Sequence, residues 1–136
     1  MKANSDYWIT EAKESFASAE VLFDGKRYLE AAFFCHLAIE KALKAFVAER
    51  TEQIPPKTHN LSLLAEMGLR EEQRTEELMS FLFVLMPYQL ESRYPSDRLR
   101  ILKATPPAKF REIINRTREV LSCLKQMLLQ LNLLRL

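Results

Sequence analysis

The chain has 136 residues, 48% of them hydrophobic, and a net charge of +2. That is the size of a single domain, 1–136, with enough apolar content to form a core without metals or disulfides. Near-neutral charge excludes a partner chosen by global electrostatics, and two glycines in the whole sequence exclude a fold built on many tight turns. The abundant Leu, Ala, Glu, Lys and Arg are strong helix formers. An all-α fold is expected.

The spacing predicts a first helix from Ser5 to Asp24, capped by Ser5 or Asp6. Trp8, Ala12, Phe16, Ala19 and Phe23 fall on one stripe. Asp24-Gly25 is expected to end it, with glycine in the left-handed conformation that closes a last turn. The opening segment is polar and charged and no uncharged apolar run reaches 18 residues. Neither a secretory leader nor a membrane span is therefore expected, and the chain reads as cytoplasmic.

A second helix is predicted from Tyr28 to Arg50. It is apolar around most of its circumference, as a central helix must be. His36, Glu40 and Lys44 interrupt it at four-residue steps, with Lys41 alongside. Glu40 before Lys44 is the favourable order for an intrahelical ion pair. The stripe is either the wet edge of the helix or a polar face turned towards a cleft.

Pro55-Pro56 forces an extended connection over Thr51–Asn60. Thr58 or Asn60 then caps a short helix, Leu61–Met67, closed by Gly68. Another helix starts near Glu71 with Leu78, Phe81, Leu82 and Leu85 on its buried face, and Pro87 ends or kinks it. Irregular chain is expected from Tyr88 to Pro106. Thr105 and Pro106 or Pro107 open a last helix. On it Phe110, Ile113, Thr117, Val120, Leu124, Met127, Leu131 and Leu134 alternate at steps of three and four. Leu129, Leu133 and Leu136 lie off that stripe, so the outer side of the tail is a candidate subunit contact.

Between Arg93 and Arg118 there are eight basic residues against Asp97 and Glu112. This local surplus is either a phosphate- or nucleic-acid-attracting patch or an ordinary solvated face. Cys35 and Cys123 both read as small core hydrophobes in a reducing compartment.

Nothing in the chain supplies an activated nucleophile, a zinc ligand set or a glycine-rich phosphate loop. Neither a metal nor another cofactor is expected. The groups suited to a ligand are basic and aromatic: Lys41, Lys44, Lys57, His59, Arg93 and Tyr94. Such groups hold phosphate by charge-assisted bonds and a base by stacking. Lys57 reads equally as a loop lysine, His59 as a residue bonded to neighbouring backbone, and Tyr94-Pro95 as a packing plug.

Three segments, in order over about residues 5 to 125, resemble the bacterial and archaeal HEPN domain family. The first runs from Trp8 through Ala19-Glu20-Val21-Leu22 to Gly25-Lys26-Arg27-Tyr28. The second is the alanine-rich stretch from Ala31 that leads into Glu40-Lys41-Ala42-Leu43-Lys44. The third pairs Pro56-Lys57-Thr58-His59-Asn60-Leu61 with Arg93-Tyr94-Pro95. The resemblance implies an up-and-down four- to five-helix bundle, often a homodimer. It implies nucleotide binding, with partnership to a minimal nucleotidyltransferase in a toxin–antitoxin-type pair. Its nucleotide- or phosphate-binding residues would be Lys41, Lys44, His59, Arg93 and Tyr94, with Glu40 in support.

The alternative that the resemblance offers is metal-independent cleavage of RNA. Family ribonucleases carry an arginine, four to six residues, then a histidine. After Arg93 those positions hold Arg98, Leu99 and Arg100, and an arginine cannot act as a base near neutral pH. A binding module is therefore expected rather than an enzyme.

Overall fold

A computed structural model describes residues 4–90 and 94–134. Among them the secondary structure is entirely helical. The elements are α1 (Ser5–Asp24), α2 (Tyr28–Thr51), α3 (Leu61–Gly68), a 3-10 turn (Glu71–Gln73), α4 (Glu76–Leu85), α5 (Pro87–Leu90), α6 (Pro95–Ala104) and α7 (Pro107–Leu134). The expected all-α bundle is what the chain forms. Among the described residues no helix is long and apolar enough to cross a membrane.

α2 is the central helix, because its alanines let neighbours approach on several sides. Ala31, Ala32, Ala38, Ala42, Ala45 and Ala48 are all buried, as are Leu29, Ile39, Leu43 and Val47. α1, α3, α5 and α7 pack around it. α1 runs antiparallel to it, and the seam between the two carries polar contacts at regular intervals. The Ser5 hydroxyl donates to the buried Glu49 carboxylate at 2.8 Å, and the Lys44 ammonium sits 5.4 Å from the centre of the Trp8 ring. Further along, Lys41 Nζ donates to Ser15 Oγ at 3.1 Å and to Glu11 Oε1 at 3.4 Å.

Two expected caps differ. Asn4, not Ser5 or Asp6, holds the position before α1, with left-handed backbone and no side-chain capping bond. Ser5 lies inside the helix because its hydroxyl is committed to Glu49. At the other end Gly25 has φ −83°, and the left-handed residue is Lys26 at φ 63°. The Arg27 N–H reaches the Leu22 carbonyl and the Lys26 N–H the Phe23 carbonyl, a Schellman closure one residue later than expected. Asn60 caps α3, its side chain accepting from the Leu63 N–H at 3.1 Å.

Gly68 serves close approach rather than a turn. A Cβ built on it would lie 2.9 Å from both Phe46 Cβ and Val47 N, so its absence lets α3 press on the α2 backbone.

The segment expected to be irregular holds α5 and α6. Pro95 opens α6 in the tolerant first turn, with Asp97 at its start and Lys103 at its end to suit the helix dipole. Only Ile101 is buried there, so no apolar stripe marks the helix in the sequence. On α7 the inward residues are Phe110, Ile113, Ile114, Thr117, Leu121, Leu124 and Leu128. Leu129 and Leu133 are exposed, while Leu136 lies outside the described residues.

Candidate functional site

The polar stripe of α2 is not its wet edge. His36, Glu40 and Lys44 are buried, at 1%, 3% and 7% exposure. A carboxylate so deep needs compensation on both oxygens, and Glu40 has it. Lys44 Nζ donates to Oε2 at 3.0 Å. His59 Nδ1 lies 2.9 Å from Oε1, and His36 Nδ1 lies 3.7 Å from that same oxygen.

His59 arrives from the connection before α3. Pro55-Pro56 extends the chain there, and the Asn60 cap fixes where α3 begins. Its side chain remains 56% exposed although one ring nitrogen is tied to the buried carboxylate. The other nitrogen points away from Glu40, since the two lie on opposite edges of the ring. A carboxylate that pins an imidazole in this way sets its orientation and leaves the far nitrogen for a ligand.

His36 is pushed down to about 4 by burial, with the Glu40 carboxylate opposing that shift. It is a neutral imidazole inside the bundle. His36 and Trp8 are the members of this cluster that sequence reasoning did not single out as site residues. The signal for His36 was its four-residue step to Glu40. The signal for Trp8 was only its place on the apolar stripe.

Of the residues expected at the site, the structure brings together Glu40, Lys44 and His59. Lys41 is engaged on the α1 side, with Glu11 and Ser15. Tyr94 stands just before α6 and is 66% exposed. Its helix is held to α2 by Arg98, which donates to Glu30 at 2.8 Å. Glu30 precedes Glu40 by ten residues, about 15 Å along the helix axis. Arg93 lies outside the described residues.

A model of the HEPN domain matches residues 5–127. The chain belongs to the HEPN domain family. No curated protein and no solved structure matches it.

In this HEPN domain the Glu40–Lys44 pair lies in the central helix and His59 in the loop that follows, so two of the three resembling segments meet at one carboxylate. The basic run after Arg93 is largely engaged within the molecule. Arg116 reaches Glu77 at 2.7 Å and Arg118 reaches Glu20 at 3.0 Å. The Arg111 guanidinium lies over the Phe23 ring. These three contacts fasten α7 to α4 and α1.

The cysteines separate. Cys35 is buried, and burial pushes its thiol up to about 11 against a hydrogen bond with Thr117. Cys123 is exposed, contrary to the expectation of a core residue, because it sits on the open side of α7. Both are free thiols.

Proposed function

We propose that this HEPN domain is a nucleotide-binding module that works as a homodimer beside a minimal nucleotidyltransferase, in a toxin–antitoxin-type pair. The observation that carries the binding reading is the half-exposed His59 ring held by the buried Glu40. Held through Nδ1 by the Glu40 carboxylate, the ring presents Nε2 to a ligand at little cost in side-chain entropy, as an acceptor when neutral and as a donor to a phosphate oxygen when protonated. Lys44 beneath it adds positive charge on the same carboxylate. Arg93 and Tyr94 would complete the set by a charge-assisted contact and a stacking ring, and Lys41 would contribute only if released from Glu11.

Calorimetric titration with ATP and other nucleotides tests this reading. His59→Ala should weaken binding by roughly ten- to a hundredfold, the worth of one or two charge-assisted contacts. Equal affinity in wild type and variant rejects the site.

One observation favours a second reading. A carboxylate-oriented histidine at the surface is also the arrangement of an acid–base catalyst, so RNA cleavage would run through His59. Positions 52 to 54, where the partner arginine would precede it, hold Glu52, Gln53 and Ile54. Incubation with single-stranded and transfer RNA without metal should therefore leave both intact. Cleavage that survives repurification and vanishes in His59→Ala reverses the ranking.

A further inference from the structure

Two cations meet on one main-chain oxygen just past the end of α3. Arg50, in the last turn of α2, donates from Nη1 to the Leu69 carbonyl at 3.0 Å. Arg74, directly after the 3-10 turn, donates from Nη1 to the same oxygen at 2.7 Å. The two nitrogens are therefore no more than about 6 Å apart. Leu69 is fully buried, so the carbonyl that holds the pair is fixed by the core.

Satisfying that carbonyl takes one donor. The second brings two permanent charges together, and they repel. Among the described residues neither guanidinium is paired with a carboxylate. Their neighbour Arg70 differs, since its Nε meets Glu72 at 2.7 Å. Each guanidinium has five N–H donors, and the contact with Leu69 uses one. Arg50 also lines a groove of about 290 Å³ with Phe46, Gly68 and Leu131 in its wall and no described carboxylate. A mostly apolar wall with a few placed polar groups is the make-up of a small-ligand site.

The geometry points to a binding site for a phosphate monoester, its phosphate between Arg50 and Arg74 and its apolar body in the groove. A phosphate dianion neutralises both guanidinium groups and has oxygens enough for a forked contact with each. A carboxylate neutralises only one. The apolar wall has no use for a bare anion, so the phosphate is carried on an organic group. This site is separate from His59. Arg50 follows Glu40 by ten residues on α2, about 15 Å along the helix axis. It goes beyond the nucleotide reading and stands or falls without it.

Calorimetric titration at pH 8, where a phosphate monoester is dianionic, tests it with phenyl phosphate, benzoate and inorganic phosphate. Phenyl phosphate should bind at least tenfold more tightly than benzoate, which lacks the second charge. It should also bind at least tenfold more tightly than inorganic phosphate, which lacks the apolar body. Arg50→Gln and Arg74→Gln should each weaken it by roughly ten- to a hundredfold with unchanged helical content. In the wild type the Nε–H resonances of Arg50 and Arg74 should shift during the titration, a readout that needs no variant to fold. His59→Ala should bind phenyl phosphate as the wild type does, whatever becomes of its nucleotide affinity. Resonances that stay put, or equal affinity in wild type and both arginine variants, overturn the site. Benzoate as tight as phenyl phosphate overturns the choice of a dianion, and inorganic phosphate as tight overturns the choice of an ester. Phenyl phosphate binding that is lost in His59→Ala assigns it to the Glu40 cluster and overturns the proposal equally.

Discussion

His36 and His59 face the same oxygen of Glu40, at 3.7 and 2.9 Å, one from inside the bundle and the other from its surface. One carboxylate thus serves two imidazoles in different solvents. The buried ring is kept neutral by desolvation, while the exposed ring is held in place and stays open to ligand.

The first prediction is a loss of stability in mild acid through His36. Its folded pKa of about 4 lies below the ordinary 6.5. The unfolded chain therefore binds a proton at a higher pH than the folded one. The contribution is complete above pH 6.5 and is lost as pH falls towards 4, by up to roughly 3 kcal/mol. Urea midpoints measured from pH 7 to 4.5 should fall accordingly, and His36→Gln should flatten the slope. Parallel profiles for the two proteins would show that other groups set the dependence.

The second concerns the buried ion pair. Removing one partner leaves a charge without compensation, so Glu40→Ala should destabilise by about 3–5 kcal/mol. Replacing both partners by apolar residues, as in Glu40→Leu with Lys44→Met, should cost less than that single change. Denaturant unfolding of Glu40→Ala, of the single changes Glu40→Leu and Lys44→Met, and of the double variant decides it. Simple additivity of the two single changes would mean that the pair is not coupled in the fold.

Much of this was legible in the sequence, for reasons that differ by element. α1 and α2 are long and periodic, so Ser5–Asp24 and Tyr28–Thr51 follow from stripe and connection. α6 was not legible, because ten residues with one buried side chain have no period to read. The Glu40–Lys44 pair follows from a four-residue step on one helix. The His59 contact does not follow from spacing, since nineteen residues and a double-proline connection separate it from Glu40. Residue type and the resemblance to HEPN domains together selected His59, and the fold shows which carboxylate holds it. Lys41 adjoins Glu40 in sequence but lies on the helix face turned to α1, since neighbouring positions on a helix point about 100° apart.

The third prediction is steric. Gly68→Ala places a methyl group 2.9 Å from Phe46 Cβ and from Val47 N. Backbone cannot yield as a flexible side chain does, so α3 must lift from α2. A cost of about 1–3 kcal/mol is expected, together with faster hydrogen exchange in α3. Unchanged stability would mean that α3 moves freely on its neighbour.

The last prediction inverts the roles that the sequence assigns to Gly25 and Lys26. Gly25 has φ −83°, which any residue adopts, and an added Cβ would meet only carbonyl oxygens at 3.5 and 3.6 Å. Gly25→Ala should therefore be neutral, or stabilising through a less flexible unfolded chain, by up to about 1 kcal/mol. Lys26 carries the left-handed backbone at φ 63°, where a Cβ is strained. Lys26→Gly relieves that strain but adds freedom to the unfolded chain, for a net gain of about 0.5–1 kcal/mol. Thermal melts of the two single variants separate this arrangement from the expected one. If glycine were the left-handed residue, Gly25→Ala would lower the midpoint and Lys26→Gly would give no gain. With the Schellman closure on Lys26, neither variant melts below wild type, and Lys26→Gly melts above it.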